Sequence, residues 1–514
     1  MSSASHHRWP TLLLGCFLLL GACGEEQRIL RVAESPWEDS LYPVETDNVA
    51  SGTIGAQIYE TLFRAYPDGS ISPQLATGFE CSPDGTQIRI RLRRGVRFHD
   101  GSLMDADAVA ACLRLAADRA VGSLYSKAAL YGFPQSFEAE DDSTVVIRLP
   151  APHNALQRTL SALDHAAIAR LDPPPPDGSL RVPPGTGPFR FRYVDDREGT
   201  LRLDAFDGYW GEAPLANGIL VTAFVESDDA VAALRSGDID IIFNATVGDD
   251  RPPETSSDPL VVRGPRAGYT VLGLNNGRSP FSDRSARIAF REMVDVETLV
   301  QSALKNLASE TDQFIGQGLY PILEATDPPS LTPEALDQAI RDHFRTLRRP
   351  LKFIRPPGSS PDRDHWISQE LRAQLRPYGV EVELAISSSW AAFDLALNEG
   401  DWDISDDGIT TESHDLFEVL HLLYGFESEP GHYGLFLHTD SSIPRLLDRA
   451  RTAVDSVAGR SLYQTCLDRI TQLMPCLPFG VHGIYVLRSP DVMPFEWNGP
   501  HNLLLSAVGR RSWK

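Results

Sequence analysis

The stretch from Ala56 to Ser102, AQIYETLFRAYPDGSISPQLATGFECSPDGTQIRIRLRRGVRFHDGS, constrains the fold of this chain more than any other. Two Pro-Asp-Gly turns, Pro67-Asp68-Gly69 and Pro83-Asp84-Gly85, interrupt it. Short alternating segments run between and after them. In Gln87-Ile88-Arg89-Ile90-Arg91-Leu92-Arg93, Ile88, Ile90 and Leu92 share one side and the polar residues the other. That is the period-two pattern of a half-buried strand. Asp-Gly supplies the positive φ that a chain reversal needs. Local chemistry therefore dictates a strand–turn–strand unit and says nothing yet of function.

Other elements follow in order. Leu30 to Val32 reads as an opening strand, and Asp105 to Arg119 as a helix with Val109, Ala110, Leu113 and Ala116 at helical spacing. Asp105 and Asp107 fall in the first turn, where carboxylates complement the helix dipole, so capping is favoured over catalysis. Ser143 to Leu149 is a strand, and Pro173 to Gly178 a connector stiffened by proline. Ala230 to Leu234 and then Ser236 to Ile242 read as helix, turn and strand; Asp238 and Asp240 in it could form a carboxylate pair. Leu351–Ile354, Trp366–Leu375 and Gly379–Leu384 give a strand–helix–strand rhythm. Ligands of such α/β lobes sit at the carboxyl ends of the strands. From Ile443 onward come two helical stretches and a strand, Leu477 to Val481.

A length of 514 residues corresponds to about three domain-sized units. The net charge of −23, from 47 basic and 70 acidic side chains, repels phosphate backbones and disfavours nucleic acid as a partner. At the start, His6, His7 and Arg8 precede a short apolar run, Thr11 to Leu20, too short to span a bilayer and suited to a secretion-signal core. Leu20-Gly21-Ala22-Cys23 resembles a bacterial lipobox, which implies cleavage before Cys23 and lipidation of its thiol; an ordinary secretory signal is the alternative. Acyl chains would hold the protein at a membrane surface without spanning it. Removing residues 1–22 takes away one charge, Arg8, and moves the net charge from −23 to −24.

Of six cysteines, Cys81, Cys112, Cys466 and Cys476 remain after that assignment, an even number in an oxidising compartment. Three pairings are open, among them a local Cys466–Cys476 bridge, and so are buried free thiols. No metal site and no cofactor are expected: the 13 histidines lack ligand spacing and no Cys-x-x-Cys occurs. The sequence has no Gly-x-Ser-x-Gly elbow, no His-Glu-x-x-His and no Walker loop, so an enzyme is not expected.

The order of several blocks is more specific. Tyr59-Glu60-x-Leu62, Pro73-x-Leu75-Ala76, Ser82-Pro83-Asp84-Gly85 and Leu92-Arg93-x-Gly95-Val96-x-Phe98-His99-Asp100-Gly101 come first. Gly185-Thr186-Gly187-Pro188-Phe189 follows, with Tyr209-Trp210, and then Leu272-Gly273-Leu274-Asn275 with Pro280-Phe281-Ser282-Asp283. This set resembles the peptide-family extracellular solute-binding proteins, receptors of ABC importers for peptides, nickel and some sugars. The resemblance covers about residues 28–500 and implies a structural element, rather than a carboxylate pair, at Asp238 and Asp240. Some positions depart from it: Tyr42 stands for an aspartate, Phe189 for a tyrosine and Phe206-Asp207 for an arginine-asparagine pair.

The resemblance implies an α/β, two-lobe periplasmic binding protein fold, with an extra small domain beside lobe one and a ligand cleft between the lobes. Its boundaries would be a signal at 1–22, tether and start of lobe one at 23–57, extra domain at 58–184, lobe one at 185–270, lobe two at 271–480 and a return to lobe one at 481–514. Matched residue by residue, ligand contacts fall to Glu45, Thr46 and Tyr125 in lobe one and to Trp390, Asp406, Ile409, Thr410 and Glu412 in lobe two. Glu412 takes the place of the aspartate that receives a peptide's amino terminus. Ile409 replaces a cleft tryptophan, and Leu397 and Asp406 stand where oligopeptide binders use bases. The acids Asp401, Asp403, Asp406, Asp407, Glu412 and Asp415 then point to tolerance for a cationic group. The expected role is a monomeric, lipid-anchored receptor in the periplasm or at the outer cell surface. It would capture a peptide-like or cationic solute by lobe closure and deliver it to an ABC permease. A non-transport sensor or surface-binding protein is the alternative, and a hydrolase the last.

Overall fold

Gln87–Leu92 is a strand with Ile88, Ile90 and Leu92 buried and the intervening arginines exposed, so the alternation that opens the sequence sets its two faces. A computed structural model describes residues 28–513 apart from 47, 67, 119–130, 132–133, 174, 176, 225–226, 244–260, 305–307, 312–318, 320, 357–360, 411–414, 425–439, 496 and 498–502. The secretion-signal segment and Cys23 lie outside the described residues.

The strands of the first half are β1 (Ile29–Glu34), β2 (Phe63–Ala65), β3 (Ile71–Pro73), β4 (Ala76–Cys81), β5 (Gln87–Leu92), β6 (Ser136–Asp141), β7 (Thr144–Arg148), β8 (Phe189–Asp195), β9 (Thr200–Ala205), β10 (Gly218–Ala223) and β11 (Ile241–Phe243). Those of the second half are β12 (Val261–Leu274), β13 (Ala308–Glu310), β14 (Leu351–Arg355), β15 (Val382–Ile386), β16 (Ile404–Thr410) and β17 (Cys476–Arg488). An 11-stranded sheet runs in the order β15-β14-β16-β12-β17-β11-β1-β10-β9-β8, with β13 paired to β17. A four-stranded sheet, β4-β5-β7-β6, and the pair β2-β3 stand beside it.

Strands β12 and β17 belong to both lobes. Val261–Arg263 pair with Leu487–Tyr485 next to β11, whereas Tyr269–Gly273 pair with Val481–Cys476 next to β16. Between these stretches the register shifts twice, between Arg263 and Arg266 and between Arg266 and Gly268. Such irregularities bend and twist a strand pair. The strand expected at Leu477–Val481 is thus the first part of a longer one. Pro478, which cannot donate to a ladder, sits beside a third shift between Thr270 and Val271.

In lobe two, β14 is parallel to both β15 and β16, with the helices Pro361–Leu375 and Trp390–Glu399 as the intervening connections. The first helix starts five residues earlier than its periodicity indicates, at Pro361, a residue pre-organised for a first helical turn. Phe281, Phe290, Phe344, Phe353, Ile367 and Leu371 form the core of this lobe. In lobe one, Ile88, Ile90, Val145 and Ile147 of the small sheet join Leu30, Val32 and Leu201 of the large sheet in one continuous cluster.

The ordered blocks of the sequence meet in a polar knot inside lobe one. The buried Glu60 carboxylate accepts from Trp210 Nε1 (2.7 Å), Thr186 Oγ1 (3.0 Å), Tyr209 Oη (3.0 Å) and Gln74 Nε2 (3.1 Å). The Arg93 guanidinium lies 4.3 Å over the Trp210 ring. His99 donates its backbone N–H to Gly185 O and contacts Gly187 O through Nε2 at 2.9 Å. Gly185 and Gly187 are glycines because a Cβ would stand 2.1 Å and 2.7 Å from Ile58 O. The spacing of the blocks therefore reports this knot.

Three smaller expectations have direct answers. Asp105 caps the helix Ala106–Ala117, accepting from Ala108 N at 2.8 Å. Asp240 is buried and paired with Arg31 and Arg510, a structural role. Cys81, Cys112, Cys466 and Cys476 are free thiols, so no bridge links Cys466 to Cys476. Among the described residues, no helix is long and apolar enough to cross a membrane.

Candidate ligand cleft

In lobe two, the carboxyl end of β14 lies beside the first half of β16. β14 ends in Arg355 after the apolar Leu351, Phe353 and Ile354, and β16 carries Asp406 beside it. The two side chains form an ion pair, each about 5% exposed. One Asp406 oxygen takes the guanidinium; the other, Oδ1, is buried and has no hydrogen-bond partner among the described residues. Leaving a buried acceptor unpaired costs roughly 1–3 kcal/mol. A base at this place was not evident from Asp406 alone. The sequence signal for it is a lone arginine closing an apolar strand.

Two further acids of this stretch, Asp401 and Asp403, are paired with bases nearby. Asp403 is fully buried and held by Arg349, with Nη2 2.7 Å from Oδ1, and by the Lys352 backbone N–H at 2.7 Å. Asp401 is exposed and bonds Lys352 Nζ at 2.7 Å and Arg278 Nη1 at 2.9 Å; those two bonds pull its carboxyl below the usual range. Three bases thus answer Asp401 and Asp403, and Arg355 answers Asp406. Asp401 and Asp403 share Arg278, whereas Asp406 belongs to a separate pair with Arg355.

The remaining candidates are placed as follows. Trp390 is the first residue of the helix Trp390–Glu399, whose N-cap Ser389 accepts from Ala392 N at 3.1 Å. That helix ends at Gly400, φ 71°, and its buried Phe393 and Leu397 pack on Ile354 and the fully buried Trp402. Leu397 is thereby core. Ile409 and Thr410 close β16 opposite Tyr269 and Gly268 of β12, at the lobe-two side of the register shifts. In lobe one, Glu45 bonds Arg181 Nε at 2.6 Å, and Thr46 donates to Glu38 at 2.8 Å while accepting from Asn48 N. Tyr42 is buried and donates to Ala167 O at 2.8 Å. These bonds fix the loop that precedes the helix Val49–Gly55. Tyr125 and Glu412 lie outside the described residues. A cavity of about 260 Å³, lined by Tyr59, Arg64, Gln74, Tyr209 and Glu212 among others, opens within lobe one beside the Glu60 knot and not between the lobes.

The comparisons with known proteins agree with this architecture. The model of the bacterial extracellular solute-binding proteins, family 5 middle region, matches residues 70–429. The glutathione-binding protein GsiB of Pectobacterium atrosepticum is 26% identical over 280 residues, 53% of each chain. GsiB of Escherichia coli K12 is 24% identical over 309 residues, 59% of each. The chain spans a little over half the length of the curated relatives it matches. Among solved structures, NikA from Brucella suis in complex with Fe(III)-EDTA superposes with a TM-score of 0.80 at 18% identity, covering 93% of this chain and 99% of that one. DppA from Helicobacter pylori in complex with the peptide STSA gives 0.76 at 19% identity, covering 94% and 98%. Those two share the fold. With two lobes strung on β12 and β17 and the family model matched across 70–429, the chain belongs to the bacterial extracellular solute-binding proteins of family 5.

Proposed function

We infer that the protein is the solute receptor of an ABC importer and that its solute is small and peptide-like, with both an acidic group and N–H donors. The observation that carries this reading is the buried Arg355–Asp406 pair beside the carboxyl end of β14, in which Asp406 Oδ1 lacks a hydrogen-bond partner among the described residues. A guanidinium suits a ligand carboxylate, and the free oxygen suits an ammonium or amide N–H. Glutathione, named for the GsiB relatives, and the peptide held by DppA have both kinds of group. Trp390, Ile409, Thr410 and Glu412 would complete the lobe-two wall. Tyr125 would face them from lobe one, with Glu45 and Thr46 holding their loop in place.

Binding proceeds by closure of the lobes about β12 and β17, a population shift favoured by contacts to both sides. The protein is read as a monomeric binding protein without catalysis, tethered outside the cytoplasm through lipidated Cys23, which delivers its cargo to a membrane permease. The test is calorimetry with reduced glutathione and a set of di- to tetrapeptides. Asp406→Ala is expected to weaken the best of these at least ten-fold while the protein stays folded. Equal affinity of Asp406→Ala and wild type would remove the Arg355–Asp406 pair from the site.

A further inference from the structure

Where the lobes touch, lobe one sends a short segment into lobe two. Asn154 donates its backbone N–H to Arg451 O (3.0 Å) and its side-chain amide to Ala450 O (2.6 Å). His153 sets its ring edge-on against Phe417, with centroids 5.3 Å apart. Ala155 packs in an apolar cluster with Leu416, Leu447 and Tyr463, whereas the next residue, Leu156, belongs to the lobe-one core. Behind this seam, His165 is only 1% exposed and lies between two carboxylates. Its Nδ1 is 3.2 Å from Asp164, its neighbour, and its Nε2 is 3.3 Å from Glu418 of lobe two. Only a protonated imidazole has an N–H for both.

Other ionisable groups face the same place. Asp415, which precedes the helix Leu416–Tyr424, feels Arg158 of lobe one, Glu418 and His165. Tyr463 feels the charges of Asp415 and Arg451. Tyr131 donates to His165 O at 2.6 Å. Asp164, His165 and Glu418 also have spacing that could admit a cation. Both imidazole nitrogens already face carboxylates, however, and Arg158 supplies positive charge beside them. A metal would have to compete with these groups.

We propose that this cluster is a proton-operated latch: lobe closure brings His165 against Glu418 and Asp415 and takes up a proton that the open form releases. The latch rests on the reading that the lobes close over a solute. Burial pushes the Asp415 carboxyl up to about 7, against the pull of Arg158 and of the backbone N–H of Phe417. Opening returns that carboxyl to water and to the ordinary carboxylate range. Between the ordinary range and about pH 7 the closed form therefore carries a proton that the open form has lost. One proton taken up changes the closed-to-open ratio about ten-fold per pH unit.

The test is electron-spin distance measurement on the full chain, with Cys81→Ser to silence the exposed thiol and labels at Leu103→Cys and Leu395→Cys. Both leucines are exposed, one in each lobe. Data are taken between pH 5 and 8, with and without reduced glutathione or a tryptic peptide pool. The short-distance population is expected to rise about ten-fold per unit as pH falls from 7 towards 5. Asp415→Asn is expected to flatten that response, and His165→Gln to lower the closed population at pH 5. The titration of the chain with its latch residues intact needs neither variant to fold. A distribution that ignores pH overturns the latch. If peptides still shift that distribution, the closure reading survives; if nothing shifts it, closure fails as well. A response abolished by EDTA overturns the latch in favour of a bound metal.

Discussion

Glu60 shows how much one side chain can organise. Its burial raises its own carboxyl pKa, while the bonds from Trp210, Thr186 and Tyr209 pull it back down. Glu60→Ala leaves four donors facing no acceptor, and each orphan costs roughly 1–3 kcal/mol. The variant is expected to lose about 3 kcal/mol or more, read as a lower urea midpoint. His99, beside the same knot, is pushed down to about 4 by burial. Its folded-state value is thus below the ordinary 6.5, so the unfolded chain binds the extra proton between those values. Stability is full above pH 6.5 and falls by about 3 kcal/mol as pH drops towards 4. His99→Gln should flatten that acid limb in urea titrations; an unchanged limb would show that another group carries it. At this scale the sequence was legible where the cause is local. Asp105 as a cap and the Asp-Gly turns depend on neighbours one to three residues away. Arg355–Asp406 and Arg349–Asp403 join residues about fifty positions apart, and no local pattern announces such pairs.

Among elements, short amphipathic strands were easiest to read and the crossing strands hardest. β5 declares itself because one face meets the core and the other meets water. β17 does not, because it serves two lobes in turn and carries Pro478, Gly480 and Gly483 along its length. Its length reflects a tertiary demand, the need to pair with β11 in one lobe and with the β16-bound half of β12 in the other. The register shifts between Arg263 and Gly268 have a testable consequence. Hydrogen-exchange mass spectrometry should find the 264–267 amides of β12 exchanging well ahead of those at 269–273, which are paired on both sides. Uniform protection along β12 would mean that bending occurs elsewhere. The cap of the helix Ala106–Ala117 offers a smaller check, since Asp105→Ala should cost about 1 kcal/mol in the same urea assay.

At the scale of the molecule, the two lobes form one sheet held by two strands, an arrangement suited to closing on something small. The ordered blocks pointed to this class because they encode the Glu60 knot, a scaffold of lobe one. They say little of the solute, which depends on which charges remain available after the ion pairs are made. Counting acids in the sequence suggested a cationic preference; among the described acids of that stretch, Asp401, Asp403 and Asp406 are paired with bases and Asp406 keeps one buried oxygen without a partner. The most direct test is mass spectrometry of whatever is released when the purified protein is unfolded in acid. A peptide-like compound with a free carboxylate and an amine or amide N–H, present near one per chain, is the predicted result. An empty protein that also shows no thermal shift with glutathione or peptide pools would contradict it.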